Sequence, residues 1–172
     1  EFPNKKVHVI DTHATAGHLI LIMEKAIELF QQNLPFEEIC QILDQYNEER
    51  EIIFTLGSYD NLVKTGRMSP LVNTVISTLN IKVICENSLE GEIIIKSKIR
   101  GLKKTLDKMI EKILAKENLA NTIYINHCYN EENALYIKEQ IQKALPNQEV
   151  KLLQCKGLTT FYSDNQGIII AI

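Results

Sequence analysis

The run from Phe54 to Gly101 constrains the fold most, because helix signals and strand signals follow one another in it at short intervals. Ser58 can accept hydrogen bonds from the free N–H groups that open a helix, and Gly66 can adopt the left-handed conformation that closes one. Two β-rich runs follow, Ile81 to Cys85 and Gly91 to Ile99, and the polar turn between them is typical of a hairpin. The run therefore predicts a β-sheet with helices packed on it, which is an α/β or α+β fold.

A second helix signal lies between Gly66 and the hairpin. Ser69 supplies an acceptor, and Pro70 needs no donor of its own at the first helical position. The helix is predicted to run to about Leu79, with a wide apolar stripe along one side. The stripe consists of Leu71, Val72, Val75, Ile76 and Leu79. It faces either an ordinary core or an apolar ligand, and the pattern fits both.

Three cations, Lys96, Lys98 and Arg100, alternate with less polar residues on the second β-rich run. A side-chain period of two places all three on one face of the strand. Such a charged face is usually solvated, although it can also meet a partner.

The segments on either side of this run carry further periodic signals, and their alternation indicates helices packed against a sheet. Before it we predict a short strand at Lys6 to Ile10, a helix from Ala16-Gly17 to about Gln32, a helix beginning at Pro35, and a strand from Glu51 to Leu56. After it we predict a basic amphipathic helix from Leu102 to Leu114 and a strand at Thr122 to Ile125. A helix capped by Asn130 and ended by Pro146 follows, and then a strand at Glu149 to Leu153. The chain closes with two predicted strands, Leu158 to Phe161 and Ile168 to Ile172, joined by a turn.

Composition and charge exclude several classes of protein. The chain has 172 residues and is 45% hydrophobic, which is enough for one or two packed domains. A net charge of −3 gives no general attraction to nucleic acid. No apolar run approaches the roughly 18 residues needed to cross a bilayer, and no secretory signal opens the chain. We therefore expect a cytoplasmic protein with no nucleic-acid partner and no stable membrane insertion.

The reactive side chains form no recognisable catalytic or metal-binding set. Asp11 is followed by His13 and His18, but the two histidines are five residues apart and miss the i, i+4 spacing of a helical metal pair. His127 and Cys128 point to opposite faces of an extended chain. We therefore predict no catalysis, no metal and no cofactor. The four cysteines, which lack CxxC spacing and are predicted to be free thiols of a reducing compartment, are Cys40, Cys85, Cys128 and Cys155.

Several short motifs stand in a recognisable order and spacing. The segment Leu62 to Ser69 reads Leu-Val-Lys-Thr-Gly-Arg-Met-Ser. It is followed by Leu79-Asn80-Ile81-Lys82, by Gly91, and by Lys98-Ile99-Arg100-Gly101 opening a basic helix. Val9-Ile10-Asp11-Thr12, Ala16-Gly17 and the closing strand Gly167 to Ile172 extend the pattern in both directions. Together these motifs resemble the DegV family of bacterial lipid-binding proteins, in which the first one reads Leu-x-Lys-x-Gly-Arg-Ile-Ser.

The resemblance implies a two-lobed α/β protein that holds one fatty acid between its lobes without covalent chemistry of its own. It also implies a partner, a fatty acid kinase, to which the carboxylate of a long-chain fatty acid is presented. On this basis we expect residues 1–50 to be the end of a first, N-terminal lobe and residues 51–172 to be the C-terminal lobe.

The resemblance also suggests which residues would do this work. Arg67 is expected beside the ligand head group and in the encounter with the kinase, because its planar donor fork lies near a predicted helix N-terminus that favours an anion. A simple capping role for Arg67 is the alternative. Lys98 and Arg100 are expected to bind the partner. The lipid-binding set is completed by Ser69, the stripe Leu71, Val72, Val75, Ile76 and Leu79, and the pair Tyr162 and Ser163.

The last segment departs from the family pattern. Tyr162 stands where the family usually has a histidine, so a phenol would meet the carboxylate instead of an imidazole. Asp164 lies nearby in sequence and would repel an anion. Two other functions therefore stay open: a regulatory or structural module that binds no lipid, and a lobe of a small-molecule phosphotransferase that holds phosphate with basic residues. Those basic residues would be Arg67, Lys82, Lys98 and Arg100.

Overall fold

The structure, a computed structural model, describes residue 3 and residues 5–69 and 81–172. Within these ranges a six-stranded sheet is combined with six helices, which confirms the predicted sheet with helices packed on it. The helices are α1 (Gly17–Gln31), α2 (Phe36–Glu49), α3 (Asp60–Lys64), α4 (Leu102–Leu114), α5 (Glu131–Ala144) and α6 (Gly157–Ser163). The strands are β1 (Ile52–Thr55), β2 (Ile81–Asn87), β3 (Ile93–Arg100), β4 (Thr122–His127), β5 (Glu149–Gln154) and β6 (Ile168–Ala171). The predicted helix after Ser69, with its apolar stripe, lies outside the described residues.

The strand order across the sheet is β3-β2-β1-β6-β4-β5. β1 lies between β2 and β6 and runs antiparallel to both, with Phe54 opposite Cys85 on one side and Ile169 on the other. Only β4 and β5 are parallel, joined by the crossover helix α5. All four residues of β1 are buried, so this short strand is covered on both faces.

The two faces of the sheet carry separate apolar clusters. α4 and α5 pack on one face, where Ile53, Ile84 and Met109 are fully buried. The opposite face carries Ile52, Phe54 and Ile169, and α1 covers part of it at β4 and β6. α2 packs against α1 through a small cluster of Leu29, Ile39 and Leu43. The result is a three-layer arrangement in which part of the second face remains available.

The first turn of α1 is pressed onto the sheet at Gly17. A Cβ atom at this position would lie 2.3 Å from the Cβ of Tyr124 and 3.2 Å from the Cβ of Ala171. The backbone N–H of Gly17 donates to Oδ1 of Asn126 at 2.9 Å, so the approach also satisfies a free donor of the helix N-terminus. Only glycine permits this contact, which explains the glycine in the sequence. Of the helices in the described ranges, none has both the length and the apolar character needed to span a bilayer.

The predicted strand from Leu158 to Phe161 is wrong, because this segment forms helix α6. The Thr159-Thr160 pair suggested a strand, since β-branched residues favour extended backbone. The apolar residues Leu158, Phe161 and Tyr162 nevertheless stand at i, i+3 and i+4, which is the helical spacing. The following strand β6 was predicted correctly.

The predicted strand at Lys6 to Ile10 is also wrong, since these residues belong to no strand. They lie instead along α2, where Lys6 pairs with Glu37 and Nε2 of His8 lies 2.8 Å from Oδ1 of Asp44. Val7 and Val9 are 74% and 81% exposed. Alternating apolar residues are compatible with a strand, but a strand also needs a neighbouring strand, and the described residues supply none here.

The prediction that three cations share one face of β3 is wrong, because β3 contains a β-bulge. The register shifts between Ile84 and Cys85, so that Lys96 is an extra residue on β3. Lys96 pairs at 3.5 Å with Glu86, whose other oxygen accepts a hydrogen bond from Lys112 of α4. Lys98 lies opposite Val83 and belongs to the other face, the face of β1 that carries Phe54. The bulge thus separates Lys96 from Lys98 and Arg100.

Three of the four cysteines are buried free thiols, as predicted, and Cys40 is half-buried. Burial, together with the neighbouring charge of Glu86, raises the pKa of Cys85 to about 12. This thiol is therefore protonated at neutral pH and packs as an apolar group.

The close packing of α1 predicts the effect of enlarging Gly17. Alanine favours a helix by about 1 kcal/mol over glycine, but the added Cβ would overlap Tyr124, and such overpacking costs about 1–3 kcal/mol. We expect Gly17→Ala to lower the free energy of unfolding by up to a net ~2 kcal/mol, measured by urea denaturation. Met23→Ala, at a position of α1 that is 63% exposed, should change it by less than about 0.5 kcal/mol. An unchanged or higher stability of Gly17→Ala would contradict the packing of this turn.

Candidate functional site

A cavity of about 510 Å³ lies on the face of the sheet that α1 covers only in part. This volume falls within the range of small-molecule pockets, roughly 300–1,000 Å³. Its floor is apolar and is formed by alternate residues of the sheet: Ile52, Phe54 and Leu56 from β1 and the residue after it, Ile93 of β3 and Ile169 of β6. Residues two apart on a strand share one face, so the floor follows directly from the period of β1.

The cavity runs along β1 and has two different ends. At the start of β1, the backbone N–H of Ile52 donates to Oδ1 of Asn87 at 3.0 Å. Beyond its end, the backbone N–H of Gly57 donates to the carbonyl oxygen of Ser163 at 3.0 Å. Asn87 and Ser163 both line the cavity, so they mark its opposite ends. The four residue steps from Ile52 to Leu56 correspond to about 13 Å of extended chain.

Arg67 and Tyr162 lie together at the Ser163 end, where we expected them to share one surface. The guanidinium carbon of Arg67 is 5.2 Å from the centroid of the Tyr162 ring, a cation–π contact. Arg67 follows Gly66, whose φ of 73° confirms the predicted left-handed helix end. Within the described residues no carboxylate pairs with Arg67, so its charge is free to meet an anion.

The hydroxyl group of Ser163 is buried at this end of the cavity. Ser163 is 0% exposed, and no nitrogen or oxygen atom of the described residues forms a hydrogen bond with its Oγ. The neighbouring group is the Cys155 thiol, a weak hydrogen-bonding partner. A buried hydroxyl whose partner is only a thiol is costly, which makes this atom an exception among the buried polar groups.

Asp164 does not line the cavity, which removes the repulsion expected from its sequence position. Its Oδ1 accepts a hydrogen bond from the backbone N–H of Asn165 at 2.6 Å. The carboxylate therefore serves the turn before β6.

The remaining predicted site residues fall into three groups. Ser69 is exposed and does not line the cavity. Lys98 and Arg100 are exposed on the edge strand β3, opposite Val83 and Ile81, and therefore at the end of the sheet near Leu56 and α3. The structure leaves five predicted lipid-binding residues undescribed: Leu71, Val72, Val75, Ile76 and Leu79.

Lys82 was a candidate phosphate ligand, but the structure gives it a local role. Its Nζ donates to the carbonyl oxygen of Gly57 at 3.4 Å, and the residue does not line the cavity. Burial lowers the pKa of Lys82, since a half-buried ammonium group loses hydration.

Sequence reasoning overlooked the polar residues at the other end of the cavity. Asp11, His13 and Glu90 line it there, together with Gly91 in the turn between β2 and β3. The Asp11-Thr12 motif marked the segment, but nothing in the sequence places it against a turn 76 residues away. The described residues contain no group of three or more His, Cys, Asp or Glu side chains arranged to hold a metal ion.

His18 is linked through Asn47 to the backbone of Asp11. The ring is 0% exposed, and its Nε2 donates to Oδ1 of Asn47 at 2.8 Å. Nδ2 of Asn47 in turn donates to the carbonyl oxygen of Asp11 at 3.1 Å. Burial lowers the pKa of His18, the hydrogen bond to Asn47 opposes this, and the charge of Arg50 adds to the lowering.

Comparison with known proteins bears on this site. The sequence model of the DegV family, described as "Uncharacterised protein, DegV family", matches residues 1–170. The chain belongs to the DegV family. A DegV domain-containing protein of Streptococcus pneumoniae is 32% identical over 170 residues, which are 99% of this chain and 60% of that protein. One of Streptococcus gordonii is 30% identical with the same coverage. The chain therefore spans about 60% of the length of these curated relatives.

Solved structures of DegV proteins share the fold. The Streptococcus pneumoniae Fatty Acid Kinase (Fak) B3 protein loaded with linoleic acid has a TM-score of 0.90 and 34% identity, covering 98% of this chain and 60% of that one. A DegV family protein from Eubacterium eligens loaded with heptadecanoic acid has a TM-score of 0.89 and 30% identity, covering 98% and 61%. One from Ruminococcus gnavus with vaccenic acid has a TM-score of 0.88 and 28% identity, covering 99% and 62%.

The buried His18 predicts how stability depends on pH. In the unfolded chain this ring takes up a proton near pH 6.5, its ordinary pKa. Because the folded pKa is lowered, the unfolded state binds the proton first, and stability falls as the pH decreases from about 7 to about 5. We expect His18→Gln to reduce the slope of the free energy of unfolding against pH. A single titrating group contributes at most about 1.4 kcal/mol per pH unit to this slope.

Urea unfolding at a series of pH values measures the slope. His8→Gln is the control, because it leaves His18 in place and should keep the His18 contribution. If His18→Gln retains the wild-type slope, the buried ring does not cause it.

Proposed function

We propose that this DegV-family chain binds a long-chain fatty acid without covalent chemistry and presents its carboxylate to a fatty acid kinase. The observation that carries the proposal is the cavity along β1, with an apolar floor and, at one end, a guanidinium that pairs with no carboxylate of the described residues. An amphipathic ligand with one anionic end and a long apolar tail matches this distribution of groups.

The apolar floor would supply most of the affinity. Each buried methylene contributes about 0.8 kcal/mol, so a tail of ~14 methylenes contributes on the order of 11 kcal/mol before the costs of ordering. The floor residues Ile52, Phe54 and Ile169 are 5%, 6% and 5% exposed, so they are held firmly by the sheet. A rigid floor limits the ordering that the protein itself must undergo on binding.

The Arg67 end would hold the carboxylate. A carboxylate leaving water needs two or three donors, since an unpaired buried charge costs several kcal/mol. Arg67 offers a charged donor fork, and Tyr162 and Ser163, whose side chains each carry a hydroxyl group, line the same end. The phenol thus takes over, in this proposal, the place that the family usually gives to a histidine.

Relatives support a fatty acid as the ligand class. Three DegV-family structures similar to this chain contain linoleic, heptadecanoic and vaccenic acid. Because the chain spans about 60% of such proteins, we infer that residues 1–50 end a first lobe and that residues 51–172 form the second. The complete ligand site would then include the other lobe.

A kinase partner is proposed from the cations near the Arg67 end. Lys98 and Arg100 lie on the same face and at the same end of the sheet as α3, and neither forms an ion pair with a described residue. The name of the Fak B3 relative points to a kinase system in that organism. In this proposal the chain supplies no catalytic group, and its partner carries out phosphoryl transfer.

Removing the charge of Arg67 should weaken fatty acid binding. Arg67→Gln keeps a polar side chain but loses a charge-assisted hydrogen bond, worth about 1.5–3 kcal/mol. We expect Kd for a long-chain fatty acid to rise roughly tenfold to a hundredfold, measured by displacement of a fluorescent fatty acid. Arg100→Gln, which removes an arginine that does not line the cavity, should leave Kd within about twofold.

Measurements of the melting temperature with added ligands separate the competing functions. A phosphotransferase lobe predicts that nucleotides or phosphoesters raise the melting temperature, whereas a carrier is stabilised by fatty acid alone. Should the chain bind no fatty acid, or bind it equally well with Arg67→Gln, the proposed head-group site is wrong.

Reversing charge on the edge strand should weaken the encounter with the kinase. Exposed charges at the rim of an interface act mainly on the association rate and on its salt dependence. We expect the double variant Lys98→Glu and Arg100→Glu to raise KM for the protein–fatty acid complex about tenfold, with kcat little changed. Initial rates of acyl phosphate formation by a fatty acid kinase measure both constants.

The matched control is Lys103→Glu with Lys108→Glu on the outer side of α4, which covers the opposite face of the sheet. It makes the same change in net charge and should leave KM unaffected. If both double variants raise KM equally, total charge and not the β3 edge determines the encounter.

A further inference from the structure

A thin wall separates the cavity along β1 from a second cavity of about 330 Å³. Asp11, Thr12, His13 and Asn87 line both cavities, so these side chains form the wall. It stands at the Asn87 end, which is the end opposite Arg67. An apolar ligand that extends along the floor of the cavity from Arg67 would reach this wall with its far end.

The His13 ring closes the wall by joining two distant segments. Its Nδ1 donates to the carbonyl oxygen of Leu89 in the turn between β2 and β3, and its Nε2 lies 2.9 Å from Oδ2 of Asp11. Both partners are acceptors, and each ring nitrogen faces one of them. Each ring nitrogen is thus used to hold the ring across the gap.

The backbone around His13 is arranged to keep the ring there. His13 has a φ of 47°, a left-handed conformation that is uncommon for a residue with a side chain. A Cβ atom at Gly91 would lie 3.2 Å from the Cβ of His13, so the turn packs closely on it. Asn47 holds the carbonyl oxygen of Asp11 at 3.1 Å and links the wall to the buried His18. An uncommon backbone conformation supported from several sides indicates a functional constraint.

The space beyond the wall is unsuited to an apolar chain. It is lined by Asp44, Glu48 and Arg50, and the Nε of Arg50 is buried without a hydrogen-bond partner in the described residues. Methylene groups entering there would remove water from charged groups without replacing its hydrogen bonds. The apolar floor of Ile52, Phe54 and Leu56 therefore ends at a polar wall, and the cavity beyond the wall contains charged side chains.

We propose that the His13 wall sets the maximum length of the apolar chain that the cavity accepts. The inference rests on the proposed function, because it assumes that a fatty acid lies along β1 with its carboxylate at Arg67. His13 acts as a specificity-determining residue: the terminal methyl group of the longest accepted chain stops against its ring.

Binding of saturated fatty acids that differ by two carbons tests this, using displacement of a fluorescent fatty acid from the protein with both proposed lobes present. While the tail stays in the apolar groove, each methylene raises affinity about fourfold. In the wild type we expect this rise to stop at one length. In His13→Ala we expect it to continue for one further step and then stop, because two added carbons fit the volume that the imidazole ring vacates without entering the charged cavity. Binding at that length should be on the order of tenfold tighter than in the wild type.

His8→Ala is the matched control. His8 also pairs with an aspartate, Asp44 of α2, but it does not line the cavity along β1. It should keep the wild-type length profile. Asp11→Asn is a second variant, with a side chain of nearly unchanged size, and it weakens the contact between residue 11 and Nε2 of His13. It should shift the profile in the same direction as His13→Ala, and it decides the question if His13→Ala does not fold.

Identical length profiles for wild type, His13→Ala and Asp11→Asn would overturn the inference while leaving fatty acid binding in place. Failure of the wild type to bind any member of the series would instead overturn the proposed function, and the inference with it.

Discussion

The burial of β1 on both faces is the constraint on which the rest of the structure depends. Ile53 packs against the helical layer formed by α4 and α5, while Ile52 and Phe54 face the opposite side. Because side chains alternate along a strand, a shift of one residue in register would exchange these two sets. Hydrogen bonds to β2 and β6 hold the register, and the apolar floor of the cavity is a direct consequence.

Charge is distributed unequally around this floor. On the helical face, Glu86 is shared between Lys96 and Lys112. Burial raises the pKa of Glu86, but the hydrogen bonds and charges of these two lysines outweigh burial and leave it lowered. In the part of the chain that the structure describes, Arg67 has no such carboxylate partner. The Arg67 end of the cavity therefore carries a positive charge that no described carboxylate balances.

Periodic patterns predicted the long helices well but missed the short helix α6. Both ends of α1 and the start of α2 were anticipated to within one residue, since many apolar positions repeat over several turns. Helix α6 has seven residues, too few for the helical spacing of Leu158 and Phe161 to outweigh two β-branched threonines. The displacement of Lys96 by a bulge had no signal at all, because a bulge reflects how two strands fit together.

The sequence by itself determined the alternation of helices and strands and the family. These follow from local periodicity and from motifs whose residues are close in the chain. Only the tertiary structure decided that His13 reaches Leu89, that Asp164 turns away from the cavity, and that Lys98 and Lys96 face opposite sides. Such relations depend on the packing of segments far apart in sequence, and the free energy of that packing is not encoded in any one stretch of residues.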